Sequence, residues 1–371
     1  MKVGIDISQI VYEGTGVSRF TKGLVNAILD FDQKNEWTFF FSSFRINLDP
    51  VIEQKILAKG HKLIKWKLPP TLLSFLFNKL HYLSKFLIFN FKFLISLDWF
   101  ITSDWTEIPL NIKKAAIVHD LVYLRYPETV DSSILQTQNK RLSWIKKESD
   151  IIFADSLSTK SDLNNLLKID SKKIFVNYPG VEIKRPSKEQ INLTLKKYNL
   201  NHPFILTVGK LEPRKNIKRV IEAFSTLGDN SLDLVIVGPE GWGEEKNKYQ
   251  ISNIKYLGKI NDQELFSLYS SCLFFIYPSL WEGFGYPVVE AMKLGVPVTT
   301  SNTSSLSEVT KGAAYLFNPL KPEEIFHCIN LMKSDEKLRK KLSKTGLERS
   351  KMFIWEKYYD KLIQTLYDNR S

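Results

Sequence analysis

The chain has 371 residues, of which 43% are hydrophobic and 25% charged, and its formal net charge is +12. A length above roughly 250–300 residues favours two domains over one core, and the composition excludes a disordered chain. The positive charge indicates an acidic partner: nucleic acid, an anionic membrane surface or a phosphorylated substrate. The two cysteines provide neither a disulfide framework nor a metal-binding spacing. The first residues, MKVGIDIS, predict a strand rather than a secretion signal, so the expected compartment is the cytosol.

The amino-terminal region predicts a strand, a glycine turn and a helix. Residues 3–7 form the predicted strand, Gly14 and Gly16 follow, and an amphipathic helix is expected from about Ser18 to Leu29. A glycine turn between a strand and a helix can bring backbone N–H groups to a phosphate. The spacing does not match G-x-G-x-x-G, so we do not interpret the turn as an NAD site.

Residues 71–97 are rich in Leu, Phe and Ile but are interrupted by Lys79, Lys85 and Lys92. A membrane-spanning helix needs about 20 mainly apolar residues, so three lysines argue against a span. Two interpretations remain. The segment forms one or two core helices, or it forms an amphipathic element with a basic edge that lies on a membrane surface.

Further along, an apolar strand in residues 115–128 is predicted to end at His119 and Asp120. Ligands of open α/β sheets gather outside the carboxyl ends of the strands, so this position favours a functional His119 over an ordinary one. Strands are also predicted within 149–163 and 174–182, the first of them followed by a helix start. The charged stretch that follows, 182–203, indicates a linker into a second domain.

The second half opens with a strand, Phe204–Val208, which Gly209 ends. Lys210, Arg214 and Lys215 lie in the loop before a helix that is expected from about Asn216. Cations before a helix N-terminus make an anion-binding site, although a solvated basic loop is the alternative.

A second strand–loop–helix unit lies in residues 277–309. The loop carries Glu282, Phe284 and Gly285. A helix that contains Glu290 is predicted over Pro287–Leu294. The next strand is predicted over Val296–Thr300. A loop acid, a helix acid and a helix N-terminus together suit a sugar nucleotide; the alternative is that both acids are solvated surface charges. The β–α alternation in both halves predicts two doubly wound parallel sheets.

Several motifs of this sequence are distinctive. They are GKLEPRKNI (209–217), LVIVGPEGWG (234–243), YLGKIND (256–262) and PSLWEGFGYPVVEAMKLGVPV (278–298), with GTGVSRFTKGL, VHDLVYLRYPE, ADSLSTKSDL and FIWEKYYDKLIQTLY elsewhere. Together these motifs resemble those of the retaining glycosyltransferases of family 4. The resemblance implies an α/β GT-B fold, in which two doubly wound Rossmann-like domains face a central cleft. It implies an acceptor-binding domain at 1–185, a linker at 186–202 and a nucleotide-sugar-binding domain at 203–353. The C-terminal helix, 354–371, is expected to cross back to the first domain.

The resemblance also implies roles for individual residues. Glu282 would hydrogen-bond hydroxyls of the donor sugar as a positioning group, Glu290 the ribose, and His119 would face the reacting sugar. Lys215, with Arg214 or Lys210, would hold the diphosphate. The residues expected in catalysis are Glu282, His119, Lys215 and Arg214. The residues expected to bind the nucleotide sugar are Gly14, Gly16, Gly209, Lys210, Arg214, Lys215, Ile260, Phe284, Gly285 and Glu290.

The implied reaction is hexosyl transfer with retention, without a metal or any cofactor beyond the nucleotide-sugar donor. GDP-mannose is the favoured donor, and the expected acceptor is a saccharide or a lipid-linked saccharide of cell-surface polysaccharide synthesis. The expected location is cytoplasmic, with peripheral binding at the inner face of the membrane, and no nucleic-acid partner is expected. Two alternatives stay open: a sugar-nucleotide 2-epimerase, or a catalytically inactive membrane-associated partner of another transferase.

Overall fold

The structure is a computed structural model, and it describes residues 1–12, 14–84, 96–102, 104–241 and 252–370. The chain divides into two compact units. The first comprises Met1–Gly180 together with Ile354–Ser371, and the second comprises Val181–Phe353. Each unit is built on one parallel sheet.

The sheet of the first unit has seven parallel strands. In chain order they are β1 (Lys2–Asp6), β2 (Glu36–Ser42), β3 (Lys62–Trp66), β4 (Trp99–Thr102), β5 (Lys113–Val118), β6 (Ile151–Ala154) and β7 (Ile174–Val176). Their order across the sheet is β3-β2-β1-β4-β5-β6-β7. In the central register, Ile5 of β1 lies between Phe39 of β2 and Ile101 of β4. The order reverses between β1 and β4, which is where ligands bind in such sheets.

The sheet of the second unit has six parallel strands. They are β8 (Phe204–Val208), β9 (Asp233–Val237), β10 (Ile254–Gly258), β11 (Phe274–Tyr277), β12 (Val298–Ser301) and β13 (Tyr315–Phe317). Their order is β10-β9-β8-β11-β12-β13, so the reversal lies between β8 and β11. Both sheets are therefore doubly wound, as the alternation of strands and helices predicted.

Helices connect the strands and close the ends of both units. They are α1 (Gly16–Phe31), α2 (Pro50–Ala58), α3 (Pro70–Ser74), α4 (Val122–Arg125), α5 (Ser132–Glu148), α6 (Leu157–Leu167), α7 (Lys188–Lys197), α8 (Ile217–Thr226), α9 (Asp262–Ser271), α10 (Tyr286–Leu294), α11 (Ser304–Thr310), α12 (Pro322–Ser334), α13 (Glu336–Ser350) and α14 (Trp355–Asp368). The predicted bounds of α1 and α10 are correct to within two residues.

The last helix, α14, belongs to the first unit because Trp355 packs into it. A Cβ atom added at Gly23 of α1 would lie 2.1 Å from the Trp355 ring, and one added at Gly180 would lie 2.5 Å from it. Only glycine leaves room for the indole at these two positions. Trp355 is buried, and its ring meets Phe20 and Tyr358 edge-on.

The segment predicted as a linker, 186–202, differs from that expectation. Its residues 188–197 form α7, which a capping box between Ser187 and Gln190 begins and which packs on α9 in the second unit. The charged residues that suggested a linker occupy the solvent side of this helix, while Thr194 and Leu200 are buried. Long charged side chains are good helix formers, so a high charge density does not by itself indicate an extended linker.

Residues 71–97 are described in part. Helix α3 continues through a π-helical turn, Phe75–Lys79, and residues 81–84 are helical; positions 85–95, which include Lys85 and Lys92, lie outside the described residues. Leu73 and Phe77 pack in the core of the first unit against Phe40. Among the helices that the structure describes, none has the length and hydropathy that crossing a bilayer requires.

Candidate active site

The candidate site of the second unit lies where the strand order reverses. The loop after β8 and the loop after β11 meet there, since the Leu280 N–H donates to the Arg214 carbonyl at 2.9 Å. This meeting brings Glu282 of one loop to Arg214 and Lys215 of the other. The sequence predicted both loops as ligand sites, and the structure joins them into one cluster.

Four donors converge on one oxygen of Glu282. Its Oε1 atom accepts from Lys215 Nζ at 2.6 Å, Ser279 Oγ at 2.6 Å, Tyr277 OH at 2.8 Å and Arg214 Nη1 at 3.1 Å. Burial opposes the charged form, but Lys215 and Arg214 outweigh it and hold the pKa of Glu282 at about 2. Glu282 is therefore a carboxylate at neutral pH and holds no proton to give as a general acid.

The second oxygen of Glu282 has a different environment. No hydrogen bond from any described residue ends on Oε2, and the Glu282 side chain is 12% exposed. A carboxylate oxygen has about two acceptor positions, so the crowded Oε1 is closed to a ligand and Oε2 is open. This geometry suits a group that accepts a hydrogen bond from a sugar hydroxyl, the role that the resemblance implied.

The two cations are held by protein groups. Arg214 donates to the Trp281 carbonyl at 2.7 Å and to Glu212 at 2.8 Å, in addition to Glu282. Lys215 Nζ also lies 3.0 Å from the Tyr277 hydroxyl, and burial lowers the pKa of Lys215. Arg214 thus clamps the two loops together, and Lys215 is the more compact charge beside Glu282. Their predicted contacts with a diphosphate stay a prediction.

Asn216 fixes the backbone that presents Lys215, a role that sequence reasoning missed. Its φ of 58° is left-handed, and its side chain is buried. Its Nδ2 atom donates to the carbonyls of Pro278 at 3.1 Å and Pro319 at 2.8 Å. Asn is the side chain that tolerates this backbone region best, so an Asn between a basic loop and a helix was the available signal.

Asn216→Ala is expected to destabilise the protein by about 2–4 kcal/mol, since it loses two buried hydrogen bonds and strains a left-handed residue. Asn216→Gly keeps the backbone conformation and should lose about 1–3 kcal/mol. Urea unfolding measures both. Asn199, which is exposed with a φ of 51°, is the matched control, because Asn199→Gly removes no buried bond. Equal losses at the two positions would contradict the bridging role.

The start of α10 needs glycine at its cap. Gly285 has a φ of 94°, and a Cβ atom there would lie 2.7 Å from Leu306. Phe284 is buried between Tyr286 and Phe353, and Glu290 is 3% exposed with Tyr269 OH 3.5 Å from its Oε2 atom. The alternative that Glu282 and Glu290 are solvated surface charges is therefore wrong.

The remaining predicted residues of the second unit occupy different environments. The backbone of Gly238, with a φ of 147°, packs closely against Gly209 in the loop after β8. A Cβ atom at position 238 would lie 2.1 Å from the Gly209 carbonyl oxygen. Lys210 is exposed and lies outside the Glu282 cluster. Ile260 is half-buried in the short loop between β10 and α9. Neither Lys210 nor Ile260 is among the described residues that donate a hydrogen bond to Glu282.

The first unit places His119 at the carboxyl end of β5, beside its own strand reversal. His119 Nδ1 lies 2.7 Å from Asp155 Oδ2, and the ring meets Phe20 edge-on at 4.5 Å. A small cavity there is also lined by Asp6 and Asp104. Asp155 was not predicted from the sequence, because its partner lies 36 positions away in the chain.

The glycine turn of the first unit leads directly into α1. Gly14 has a φ of 84°, Gly16 is the first residue of α1, and Thr15 caps the helix by accepting from the Ser18 N–H at 3.2 Å. Gly14 and Gly16 are exposed. Within the described part of the chain, no group of three or more His, Cys, Asp or Glu side chains is placed to hold a metal ion.

The His119–Asp155 pair predicts a pH-dependent stability. Burial disfavours the charged imidazole, but Asp155 outweighs it and raises the pKa of His119 from 6.5 to about 9. Because the folded pKa is the higher one, the stabilisation is complete below pH ~6.5 and is lost as pH rises through about 9. Unfolding free energies from pH 6 to 10 should show the wild type losing its advantage over Asp155→Asn. A constant difference would contradict this.

The two doubly wound sheets define the class: a two-domain α/β protein of the GT-B fold. Over 99% of both chains, the structure is similar to sucrose-phosphate synthase from Thermosynechococcus elongatus, with a TM-score of 0.74 and 18% identity. It is also similar to Anabaena HepE in complex with UDP and glucose, with a TM-score of 0.73, 16% identity and coverage of 99% of this chain and 100% of that one. At these identities the solved structures show the fold alone.

Sequence comparison gives the kind of enzyme. Residues 191–349 match the family model described as glycosyl transferases group 1. O-antigen chain mannosyltransferase B of Escherichia coli is 27% identical over 375 residues, covering 96% of this chain and 97% of the relative. Serotype-specific mannosyltransferase WbdA of Escherichia coli is 31% identical over 260 residues, which cover 66% of this chain and 32% of the relative. The chain contains a glycosyl transferases group 1 domain and is a glycosyltransferase.

Proposed function

We propose that this glycosyltransferase moves a mannosyl residue, with retention of configuration, from GDP-mannose to a saccharide or lipid-linked saccharide in cell-surface polysaccharide synthesis. The observation that carries the proposal is the buried Glu282 cluster at the strand reversal of the second unit. The choice of mannose draws on the relatives named mannosyltransferases, one of which aligns over nearly its whole length.

The proposed reaction needs a group that orients the sugar and positive charge near the leaving group. Oε2 of Glu282 accepts a hydrogen bond from a hydroxyl of the donor sugar. Lys215 Nζ lies 2.6 Å from Oε1 and can also donate a hydrogen bond to the diphosphate. The N-terminus of α10 adds a partial positive charge. These groups stabilise the negative charge that grows on the diphosphate in an oxocarbenium-like transition state.

The bond changes in the proposed step balance without a metal or further cofactor. The bond between C1 of the mannose and the diphosphate oxygen breaks, and a bond from an acceptor hydroxyl oxygen to C1 forms on the same face. The departing diphosphate oxygen takes the proton of that hydroxyl, so the products are the mannosylated acceptor and GDP. His119 of the first unit, held as a cation by Asp155, is proposed to face the reacting sugar.

The acceptor is proposed to bind the first unit. A groove there lies at the carboxyl ends of β1 and β2, where open α/β sheets bind ligands. Ile10, Tyr12 and Ile46 give it apolar walls, and Lys22 and Asn47 add polar groups at its edge. Such a surface fits a pyranose, which has apolar C–H faces and a ring of hydroxyls.

A donor panel tests the proposal. Nucleotide release from GDP-mannose, other GDP-sugars and UDP-sugars is measured with and without p-nitrophenyl α-mannoside as the acceptor probe, and the product is examined by NMR. Turnover of GDP-mannose to an α-linked product supports the proposal. Preference for a UDP-sugar contradicts the donor, and a β-linked product contradicts retention. A 2-epimer formed without acceptor identifies an epimerase, and no turnover of any donor identifies an inactive partner protein.

The proposed location is cytoplasmic, with peripheral binding at the inner face of the membrane. The net charge of +12 favours an anionic surface, and a lipid-linked acceptor would be presented there.

A further inference from the structure

The segment 70–84 is apolar on two opposite sides. Its inner side carries Leu73 and Phe77, which are buried against the core of the first unit. Its outer side carries Leu72, Phe75 and Leu83. A helix with apolar residues all round is normally covered on both sides, so the outer side lacks the covering that its composition calls for.

Five exposed residues of this segment make up what we call the outer face: Leu72, Phe75, Lys79, Tyr82 and Leu83. Leu72, Phe75 and Lys79 recur at intervals of three and four, and Tyr82 and Leu83 follow in the short helical stretch 81–84. Leu72 is 40% exposed, Phe75 46%, and Tyr82 and Leu83 63% each. Single exposed apolar residues are normal, but four on one short segment mark an interaction surface.

A buried ionic network holds this segment in place. His81 Nδ1 lies 2.6 Å from the Phe77 carbonyl oxygen, and His81 Nε2 lies 3.0 Å from Glu148 Oε2 in α5. The same carboxylate oxygen lies 2.6 Å from Lys114 Nζ of β5, which is 3.2 Å from Glu107. The outer face is thus presented by a segment whose other side is anchored to the sheet and to α5, which lowers the entropic cost of binding.

The rim of the outer face is basic and aromatic. Lys79 lies within it, and the Tyr82 ring meets Trp144 of α5 edge-on at 5.2 Å. Lys147 Nζ lies 4.8 Å above the same Trp144 ring. Apolar residues beside Tyr, Trp and Lys are the composition of surfaces that lie in the interface of a bilayer.

We propose that the outer face docks on the surface of a bilayer that contains anionic lipids, with Leu72, Phe75 and Leu83 among the acyl chains and Lys79 and Lys147 at the phosphates. The inference rests on the proposed membrane location and names the residues that provide it. A bilayer fits better than a second copy of the chain, because two copies that each carry a charge of +12 repel one another, while anionic lipid attracts lysines.

Vesicle co-sedimentation of the full chain tests the inference. The probes are vesicles of phosphatidylcholine with phosphatidylglycerol and vesicles of phosphatidylcholine alone. Phe75→Ser/Leu83→Ser should lower the partition coefficient for the anionic vesicles at least about tenfold, since two apolar side chains no longer enter the bilayer. Adding Lys79→Glu to this double variant should lower the partition coefficient further and weaken the dependence of vesicle binding on salt.

The matched control is Leu57→Ser/Leu193→Ser, which changes two residues that are 54% and 61% exposed on α2 and α7. It should bind like the wild type. An equal loss in the control, no binding by the wild type, or binding to neutral vesicles with equal strength would each overturn the inference. So would a dimer in sedimentation analysis that Phe75→Ser/Leu83→Ser dissociates, because the face would then join two copies.

Activity separates this inference from the proposed function. On a soluble acceptor, Phe75→Ser/Leu83→Ser should turn over GDP-mannose at the wild-type rate while its vesicle binding is lost. If neither the wild type nor the variant turns over GDP-mannose, the proposed function fails. The vesicle data still decide whether the outer face binds a bilayer.

Discussion

Glu282→Gln is expected to lower kcat/KM for GDP-mannose by about 10²–10³-fold while the protein stays folded. The four donors on Oε1 require an acceptor there, so the amide oxygen of Gln would occupy that position. The amide nitrogen then stands where Oε2 stood, and it cannot accept a hydrogen bond from a sugar hydroxyl. The reverse orientation would set an NH₂ group against four donors. Steady-state kinetics, with circular dichroism as the check of folding, measures the effect.

Glu212→Gln is the matched control for this prediction. Glu212 accepts from the same Arg214 at 2.8 Å and is 13% exposed, so the change removes an equivalent charge from a neighbouring position. It leaves Oε2 of Glu282 untouched and should cost less than about tenfold in kcat/KM. Near-wild-type activity of Glu282→Gln, or equal losses in both variants, would rule out Glu282 as the group that orients the donor sugar.

The local features of the site were readable from the sequence because they depend on residues close together in the chain. Pro287 in the first turn of α10 and Gly295 at its end predicted that helix, and Gly285 predicted the tight turn before it. Glu282, Arg214 and Lys215 were each predicted as ligand-binding residues on separate grounds. Their residue types and their positions after strands carried that information.

Contacts between distant parts of the chain could not be predicted in the same way. The sequence assigned Glu282 to the sugar and Lys215 to the phosphate, but the ion pair between them depends on β8 and β11 becoming neighbours. Asp155 and Asn216 were missed for the same reason, since their partners lie 36 and up to 103 positions away. The burial of Glu282 could not be predicted either, because the sequence of a glycine-rich turn is the same whether its glutamate is solvated or buried.

The ion pair of Lys215 and Glu282 is expected to have a large effect on stability. Lys215→Met should destabilise the second unit by about 3 kcal/mol, because it leaves a buried carboxylate with one cation fewer. The double variant Lys215→Met/Glu282→Gln removes both charges and should recover part of that loss. Urea unfolding of the wild type, both single variants and the double variant gives the coupling energy.

An exposed ion pair of the same unit supplies the comparison. Lys340 and Glu336 lie 2.7 Å apart, against 2.6 Å for Lys215 and Glu282, but their side chains are 76% and 66% exposed instead of 15% and 12%. Solvent screening should keep the coupling of the exposed pair far below that of the buried pair. Because the two distances are nearly equal, a difference in coupling measures burial. Equal coupling in the two pairs would mean that Glu282 is solvated, and a solvated carboxylate would give the donor sugar no fixed partner.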